Sequence, residues 1–290
     1  MAILKNTVID DTGYLKLPNG TIGQRPGTPT DGHIRFNTSQ NTLEVYDGNK
    51  WIEVTKEFTN VGITLHLDAS NTNSYSGTGT QWTDLSGNGY HANNVGATFN
   101  TSPSRFTFDG TNDYMYLSSI NYGTIKLTEF SIFVWMKTSY TGTVYNENWS
   151  LFDFDRSETI SFYIHGTSGK VAFSGKDGTN DYFDIEGNTA YNDGNWHYVG
   201  MTYSKRDGKI KLYADGNLDR EFTYTLGEIG TGGINRYGFI GDGSEADTEN
   251  GTRNEEYFTG DISMVHFYEN KVLTPKEVRS NYNYTKGIFE

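Results

Sequence analysis

Apolar and polar residues alternate in three short stretches near the start of the chain. In residues 33–37, 42–46 and 50–54 every second residue is apolar, and Ser-Gln-Asn and Asp-Gly-Asn stand between these stretches. A period of two is typical of β-strands, and the intervening residues favour tight turns. The pattern therefore predicts a three-stranded β-meander in which each strand follows directly on the one before.

The predicted meander is too small to be stable alone, because so short a sheet buries little apolar surface. It must either pack on the next domain or assemble with further copies of the chain, and the second alternative is our hypothesis. The side chains predicted to form the oligomerisation or attachment surface are Ile34, Phe36, Leu43, Val45 and Trp51.

From about Ile63 onward, short stretches of strand character are separated by clusters of Gly, Asn and Asp. Such spacing is typical of a β-sandwich or jelly roll. Residues 130–137 show the two-residue period most clearly, and because both of their faces are apolar we expect a central strand. The other predicted strands are residues 63–67, 106–108, 115–117, 150–154, 160–165, 170–174, 196–203, 209–214, 217–225, 237–240 and 260–268.

One helix is predicted near the C-terminus. Thr274 is suited to the N-cap position, Pro275 to the first helical position, and Glu277 can close a capping box. The predicted fold class is therefore all-β. A small N-terminal β-meander in residues 1–57 is followed by a two-sheet jelly-roll sandwich in residues 58–290, which ends in this short helix.

The N-terminal stretch carries a first resemblance. The spellings G-Q-R-P-G-T-P, G-H-I-R-F-N-T and L-E-V-Y-D-G-N-K-W, within residues 20–54, resemble a segment that recurs in structural proteins of tailed bacteriophages, especially tail and fibre components. The resemblance implies attachment to a virus particle, with other virion proteins as partners. It also implies a homo-trimer, because trimers suit fibre-like appendages.

A second resemblance covers nearly all of residues 63–283. Seven pieces follow one another in the order of a known family: LDAS, WTDLSGNG, FDGTNDY, FSIFVWMK, DGNWHYV, KLYADG, and FTGDISMVHFY with LTPKEV. In this order they resemble a laminin G-like domain of the concanavalin A-like superfamily. The resemblance implies a two-sheet jelly roll that serves as a binding module for glycans or proteins, often with a calcium ion at its rim.

Composition excludes several functions. The net charge of −13 argues against nucleic-acid binding, which needs clustered Lys and Arg, and the absence of cysteine excludes disulfides and thiolate sites. The sequence shows neither a signal-peptide core nor the ~20 consecutive apolar residues of a membrane span. We therefore expect no membrane insertion, assembly in the host cytoplasm and a final location in the virion.

One motif bears on whether the chain is an enzyme. Glu245, Asp247 and Glu249 spell E-x-D-x-E, the catalytic pattern of retaining glucanases built on this same sandwich. Gly and Asn flank the motif and its spacers are not bulky, which predicts a loop in place of a buried strand. His197 is interpreted as a local hydrogen-bonding residue and the adjacent Trp196 as a core residue. The prediction is that the chain is no enzyme and has no catalytic residue.

Two sets of residues are candidates for binding. No cofactor is required, but carboxylates at strand-edge turns are suited to binding a structural calcium ion. The alternative for Asp109 and Asp113 is that they satisfy backbone N–H groups of their turns. These metal candidates are Asp84, Asp109, Asp113 and Asp261. Loop aromatics that could stack on sugars are Tyr75, Tyr90, Tyr140, Tyr145, Tyr182 and Tyr191.

Three functional hypotheses follow from these patterns. The first is a phage virion structural protein, from the tail fibre, another appendage or the capsid surface, that displays a lectin-like domain for a host-surface glycan or receptor. The second is a purely architectural capsid decoration or cement protein without glycan binding. The third is a glycoside hydrolase on a jelly-roll fold.

Overall fold

The structure is a computed structural model in which the chain divides into two compact units, Met1–Glu57 and Phe58–Glu290. Among the residues that it describes, no helix is both long and apolar enough to cross a membrane. The described residues are 16–40, 42–54, 58–121, 127–143, 149–154, 160–177, 179, 183–230, 235–252 and 255–290.

The N-terminal unit is a four-stranded sheet in the order β1-β2-β3-β4. The predicted three strands are confirmed as an antiparallel meander, and the additional strand β1 pairs in parallel with β2. A short 3-10 turn, Ile22–Gln24, follows β1. The strands are β1 (Asn19–Gly20), β2 (Ile34–Asn37), β3 (Thr42–Tyr46) and β4 (Trp51–Glu53).

In this small sheet the charged and polar face is buried and the apolar face is not, which is the reverse of an ordinary amphipathic sheet. Arg35, Asn37 and Glu44 project from one face and are 4%, 0% and 0% exposed. Cross-strand pairing places the apolar side chains on the opposite face, where all are half-buried or exposed. This apolar face consists of Ile34, Phe36, Leu43, Val45, Ile52 and Val54.

Trp51, predicted to belong to the attachment surface with Ile34 and Val45, lies on the face of the sheet opposite to these two residues. Trp51 stands opposite Tyr46, one position along β3 from Val45, and side chains alternate between faces along a strand. Its ring lies 5.5 Å from that of Tyr46 and 5.9 Å from the guanidinium carbon of Arg35.

The second unit is the predicted sandwich of two sheets, which confirms the all-β jelly-roll fold. Sheet 1 runs β15 (Phe183–Ala190), β14 (Lys170–Gly175), β13 (Ile160–Ile164), β12 (Ser150–Phe154), β19 (Tyr237–Ile240), β10 (Tyr114–Asn121), β7 (Ala92–Val95) and β6 (Gln81–Trp82). Sheet 2 runs β18 (Asn217–Thr223), β17 (Lys209–Ala214), β16 (Trp196–Ser204), β11 (Glu129–Lys137), β20 (Thr259–Glu269), β9 (Ser104–Asp109) and β8 (Thr98–Thr101), and β5 (Leu65–Asp68) also pairs with β20.

Strand β11 is central, as predicted, because it lies between β16 and β20. Ile132 and Val134 belong to the core between the sheets, whereas Phe133 and Trp135 project from the outer face of sheet 2. Both sets are at most 2% exposed, because a second apolar layer covers the outer face.

The C-terminal helix provides most of that outer layer. Helix α1 (Pro275–Thr285) begins as predicted, with Thr274 as N-cap and Glu277 completing the capping box. The Trp135 indole Nε1–H donates to Thr285 Oγ1 across 2.7 Å, which fixes the helix on the sheet. A 3-10 turn, Lys286–Ile288, follows and brings Phe289 onto the same surface.

Candidate functional site

The predicted E-x-D-x-E motif lies on a loop, as its flanking residues indicate. Ala246 is fully buried and packs with Tyr114 and Phe239 on the outer face of sheet 1, whereas Glu245 and Asp247 on either side are exposed. The Tyr237 N–H donates to the Ala246 carbonyl across 3.0 Å. This loop therefore covers part of the outer face of sheet 1, and its carboxylates do not line a strand facing a cleft.

Strand register assembles a different cluster at the end of β11. Lys137 stands directly opposite Trp196 of β16 on one side and Asp261 of β20 on the other, and Asp261 stands opposite Thr107 of β9. Residues directly opposite each other on antiparallel strands project from the same face, about 5 Å apart. Trp196, Lys137, Asp261 and Thr107 thus form one line across the outer face of sheet 2, which we call the rim row.

A groove of about 520 Å³ opens beside the Asp261 end of the rim row. Its wall is completed by the loop that follows β11, and its polar lining is mainly hydroxyl groups. The side chains that give the groove its chemistry are Thr107, Lys137, Ser139, Tyr140, Thr141 and Asp261.

The loop that carries Tyr140 is held in place by hydrogen bonds. Thr138 Oγ1 donates to the Thr259 carbonyl across 2.7 Å and accepts from the Tyr140 N–H at 3.1 Å. Asn192 Nδ2 donates to the Tyr140 carbonyl at 2.9 Å and to Thr141 Oγ1 at 3.1 Å. A wall fixed before binding loses little conformational freedom when a ligand arrives.

The Asp261 carboxylate is already engaged by protein groups. Its Oδ1 accepts a hydrogen bond from Thr107 Oγ1 at 2.5 Å, and its Oδ2 lies 3.1 Å from Arg105 Nε. Since both oxygens have partners, the carboxylate is held in one orientation and its charge is balanced by Arg105.

The four predicted metal carboxylates do not come together in one group. Asp84 Oδ1 accepts from the backbone N–H groups of His66 and Ser86, each at 2.9 Å, and Asp113 Oδ2 accepts from the Asp109 N–H at 2.9 Å. No three His, Cys, Asp or Glu side chains in the described part of the chain are grouped so as to hold a metal ion. Asp84, Asp109 and Asp113 thus satisfy backbone N–H groups, as the alternative interpretation holds for Asp109 and Asp113, whereas Asp261 is engaged by Thr107 and Arg105.

The predicted tyrosines separate into different environments, and only Tyr140 among those described lines the groove. Tyr75 is 6% exposed and belongs to the core, so its interpretation as an exposed platform is wrong. Tyr90 and Tyr191 are half-buried against the core, and burial, with Asp219 nearby, raises the pKa of Tyr191 to about 12. Tyr145 and Tyr182 lie outside the described residues.

Sequence reasoning missed Lys137 and Trp196 as site residues. Lys137 carries no signal in the sequence, whereas Trp196 does. It was expected in the core, but it is half-buried on the outer face, where it packs against Phe289. The sequence feature that could have identified Trp196 is its position directly after the turn Asp-Gly-Asn, as the first residue of β16. A residue at the end of a strand lies at the rim of the sheet and not in its centre.

His197 has the local structural role that the sequence indicates. Its two ring nitrogens lie 2.8 Å from Asp215 Oδ2 and 3.1 Å from Asp193 Oδ1. Burial by itself lowers the pKa of His197, but these two hydrogen bonds outweigh it and hold the pKa above its ordinary value. An imidazole with both nitrogens engaged has none left for proton transfer to a substrate.

Comparison with known families agrees with this architecture. Residues 109–279 match the laminin G family model described as the concanavalin A-like lectin/glucanases superfamily. Because the match covers more than half of the chain, the chain belongs to this family.

Solved structures share the fold at low sequence identity. The binding domain of Paraclostridial Mosquitocidal Protein 1 aligns with a TM-score of 0.56 and 13% identity, over 77% of this chain and 52% of that one. A botulinum neurotoxin type C structure, described as showing cell entry dependent upon interaction with two ganglioside molecules, gives 0.53 and 17%, over 77% and 51%. The chain thus spans about half the length of these toxin domains.

A third similar structure matches over nearly its whole length. It is domain 4 of AbnA, a GH43 extracellular arabinanase from Geobacillus stearothermophilus, in complex with arabinotriose. The TM-score is 0.53 and the identity 17%, over 76% of this chain and 98% of that one. At such identities these likenesses establish the fold.

Proposed function

We propose that this chain is a structural protein of a tailed-bacteriophage virion whose sandwich binds a host-surface glycan without chemical conversion. The observation that carries the binding role is the groove that is lined by Tyr140, a set of hydroxyl groups and the oriented Asp261 carboxylate. The protein would assemble in the host cytoplasm and act as part of the virion.

The lining of the groove suits a sugar. An aromatic ring can stack on the apolar face of a pyranose, and hydroxyl and carboxylate groups can exchange hydrogen bonds with its hydroxyls. Similar folds occur in an arabinanase domain in complex with arabinotriose and in a neurotoxin whose cell entry depends on gangliosides. Both support sugar binding by this chain, and the loop position of Glu245 and Glu249 supports binding without hydrolysis.

Replacing Tyr140 by Ala in the full chain is expected to weaken glycan binding by roughly tenfold or more, because central aromatic contacts contribute ~2 kcal/mol or more. Binding is measured on an array of bacterial surface glycans and by adsorption to cells. The matched control is Tyr284→Ala, which removes a tyrosine that is 53% exposed and lies on helix α1. Equal binding by Tyr140→Ala and the unchanged chain would exclude the groove, and no binding by the unchanged chain would favour the architectural alternative.

The virion role is supported by the first unit. No residue of its apolar face is fully buried in a single chain, and Ile34 and Val54 are exposed. Residues 58–290 carry −12 of the net charge of −13, because the six basic and seven acidic residues of 1–57 nearly cancel. Copies of the chain would therefore repel one another through their sandwiches and not through their first units. We propose that the apolar face joins copies as a homo-trimer and that this unit docks to other virion proteins.

Replacing Val45 by Asp is expected to convert the assembly into monomers, because Val45 lies on the middle strand of the meander between Ile34 and Ile52. A charge there cannot be buried between copies without a large desolvation cost. Light scattering after size-exclusion chromatography reports the mass, and circular dichroism checks the fold. Val61→Asp, at a valine that is 75% exposed in the sandwich, is the control. A Val45→Asp protein that keeps the mass of the unchanged assembly would refute this interface.

A further inference from the structure

A second, smaller groove lies at the other end of the rim row. It has a volume of about 220 Å³, and aromatic rings form much of its wall. It shares Lys137 and Gly194 with the first groove, so the two meet in the middle of the rim row. The aromatic residues that line it are Trp135, Trp196, Tyr282 and Phe289.

Trp196 is a fixed platform in this second groove. Its ring centroid lies 4.7 Å from that of Phe289, and Phe289 in turn stacks on Trp135 at 4.2 Å. Trp135 is 2% exposed and tied to helix α1 through Thr285. The indole of Trp196 therefore packs on Phe289, which is itself held by Trp135, and Trp196 is only half-buried.

Lys137 lies between the two grooves with its charge uncommitted. Its neighbour Asp261 is bound by Arg105 and Thr107, and within the described residues the Lys137 ammonium takes part in no hydrogen bond or ion pair. The chain as a whole is strongly acidic, so a free anion is repelled at long range. An anion held by neighbouring contacts on both sides can nevertheless pair with this ammonium at short range.

We propose that the two grooves are one site for an oligosaccharide that contains a carboxylate-bearing sugar. One sugar stacks on Tyr140, the carboxylate of the acidic sugar contacts Lys137, and a further sugar stacks on Trp196. This inference rests on the proposed glycan binding and names the class of glycan. The rim row crosses four strands that are about 5 Å apart, so its length suits a ligand of several sugar units better than a single sugar.

The ligand side of the test uses immobilised bacterial polysaccharides of defined structure that contain uronic or sialic acids. Each is paired with its carboxyl-reduced counterpart, which keeps the linkages and loses the charge. The full chain is expected to bind the acidic form roughly tenfold more tightly or better, since hydrogen bonds to charged groups are the stronger ones. Equal binding of the acidic and reduced forms overturns the inference. Preference for sulfated polysaccharides over all carboxylated ones overturns it as well.

The protein side uses Lys137→Gln and Trp196→Ala, with Lys137→Arg as the charge-preserving variant. Lys137→Gln is expected to lose roughly tenfold for acidic glycans and so to bind the acidic and reduced forms about equally, while Lys137→Arg retains the preference for the acidic form. Trp196→Ala is expected to weaken long oligosaccharides by roughly tenfold and disaccharides little. If Tyr140→Ala abolishes binding but Lys137→Gln changes neither ligand, the proposed function stands and this inference fails.

Discussion

Replacing Glu44 by Gln is expected to unfold the N-terminal unit while the sandwich remains folded. Glu44 is fully buried, with Oε2 2.7 Å from Arg25 Nη2 and 3.0 Å from Asn37 Nδ2, and with Oε1 3.5 Å from Arg35 Nε. Burial by itself raises the pKa of Glu44, but the hydrogen bonds from Arg25 and Asn37 outweigh it and lower the pKa below its ordinary value. The carboxylate is therefore ionised and holds two arginines.

Removing this charge leaves Arg35, which is 4% exposed, without its counter-ion. Breaking a buried ion pair from one side costs roughly 3–5 kcal/mol. A unit this small has little stability to lose, since the surface that a short chain can bury is limited. The loss therefore exceeds what the small sheet can tolerate in a single copy.

Trypsin provides the measurement. Cleavage after Arg35 requires the sheet to open, and the expected result for Glu44→Gln is rapid cleavage there while residues 58–290 stay uncleaved. The matched control is Asp47→Asn, the same carboxylate-to-amide change at an exposed turn whose Oδ1 accepts from the backbone N–H groups of Asn49 and Lys50. Equal resistance of the two variants would show that the buried network does not stabilise this unit.

Replacing Gly200 by Ala is expected to destabilise the sandwich markedly. Gly200 of β16 stands opposite Phe133 of β11, and an added Cβ would lie 2.0 Å from Phe133 Cδ1. Phe133 is fully buried and stacks on Tyr198 at 5.2 Å, so its ring cannot move aside. Overpacking of this kind costs about 1–3 kcal/mol, which lowers the Tm of a domain of this size by roughly 5–10 °C.

The control for Gly200→Ala is Gly287→Ala. An added Cβ at Gly287 meets no other atom within 4 Å. The two variants add the same methyl to the same unit, and differential scanning calorimetry compares their Tm values with that of the unchanged chain. If Gly200→Ala has the same Tm as the control, β11 and β16 can move apart to accommodate the methyl group without loss of stability.

How far the sequence predicts the fold depends on how much apolar alternation each strand carries. β11 and β16 alternate over nine residues each and were predicted nearly to their ends. β1 contains only Asn19 and Gly20, and β15 reads FDIEGNTA, where polar residues and Gly obscure the period. The strands β1 and β15 were therefore missed, because pairing partners and not local preference create them.

The candidate site was less predictable than the fold. Alternation identifies the two faces of the small sheet, but it does not show that the face with Arg35 and Glu44 is the buried one. Lys137, Trp196 and Asp261 are far apart in the chain and become neighbours only through strand register. Of these three, the sequence indicated Asp261 alone, and as a metal ligand.

The buried charges of the small sheet also act as a register lock. Glu44 lies beside Arg35 only in the observed pairing of β2 with β3, because a slip by one residue would send Glu44 to the opposite side. The same slip would bring Leu43 and Val45 against Arg25 and Arg35. Only one alignment therefore keeps the arginines neutralised, and that same alignment presents an uninterrupted apolar surface to other copies. A chain that pairs incorrectly loses both the neutralised arginines and the continuous apolar surface, so it would not join an assembly.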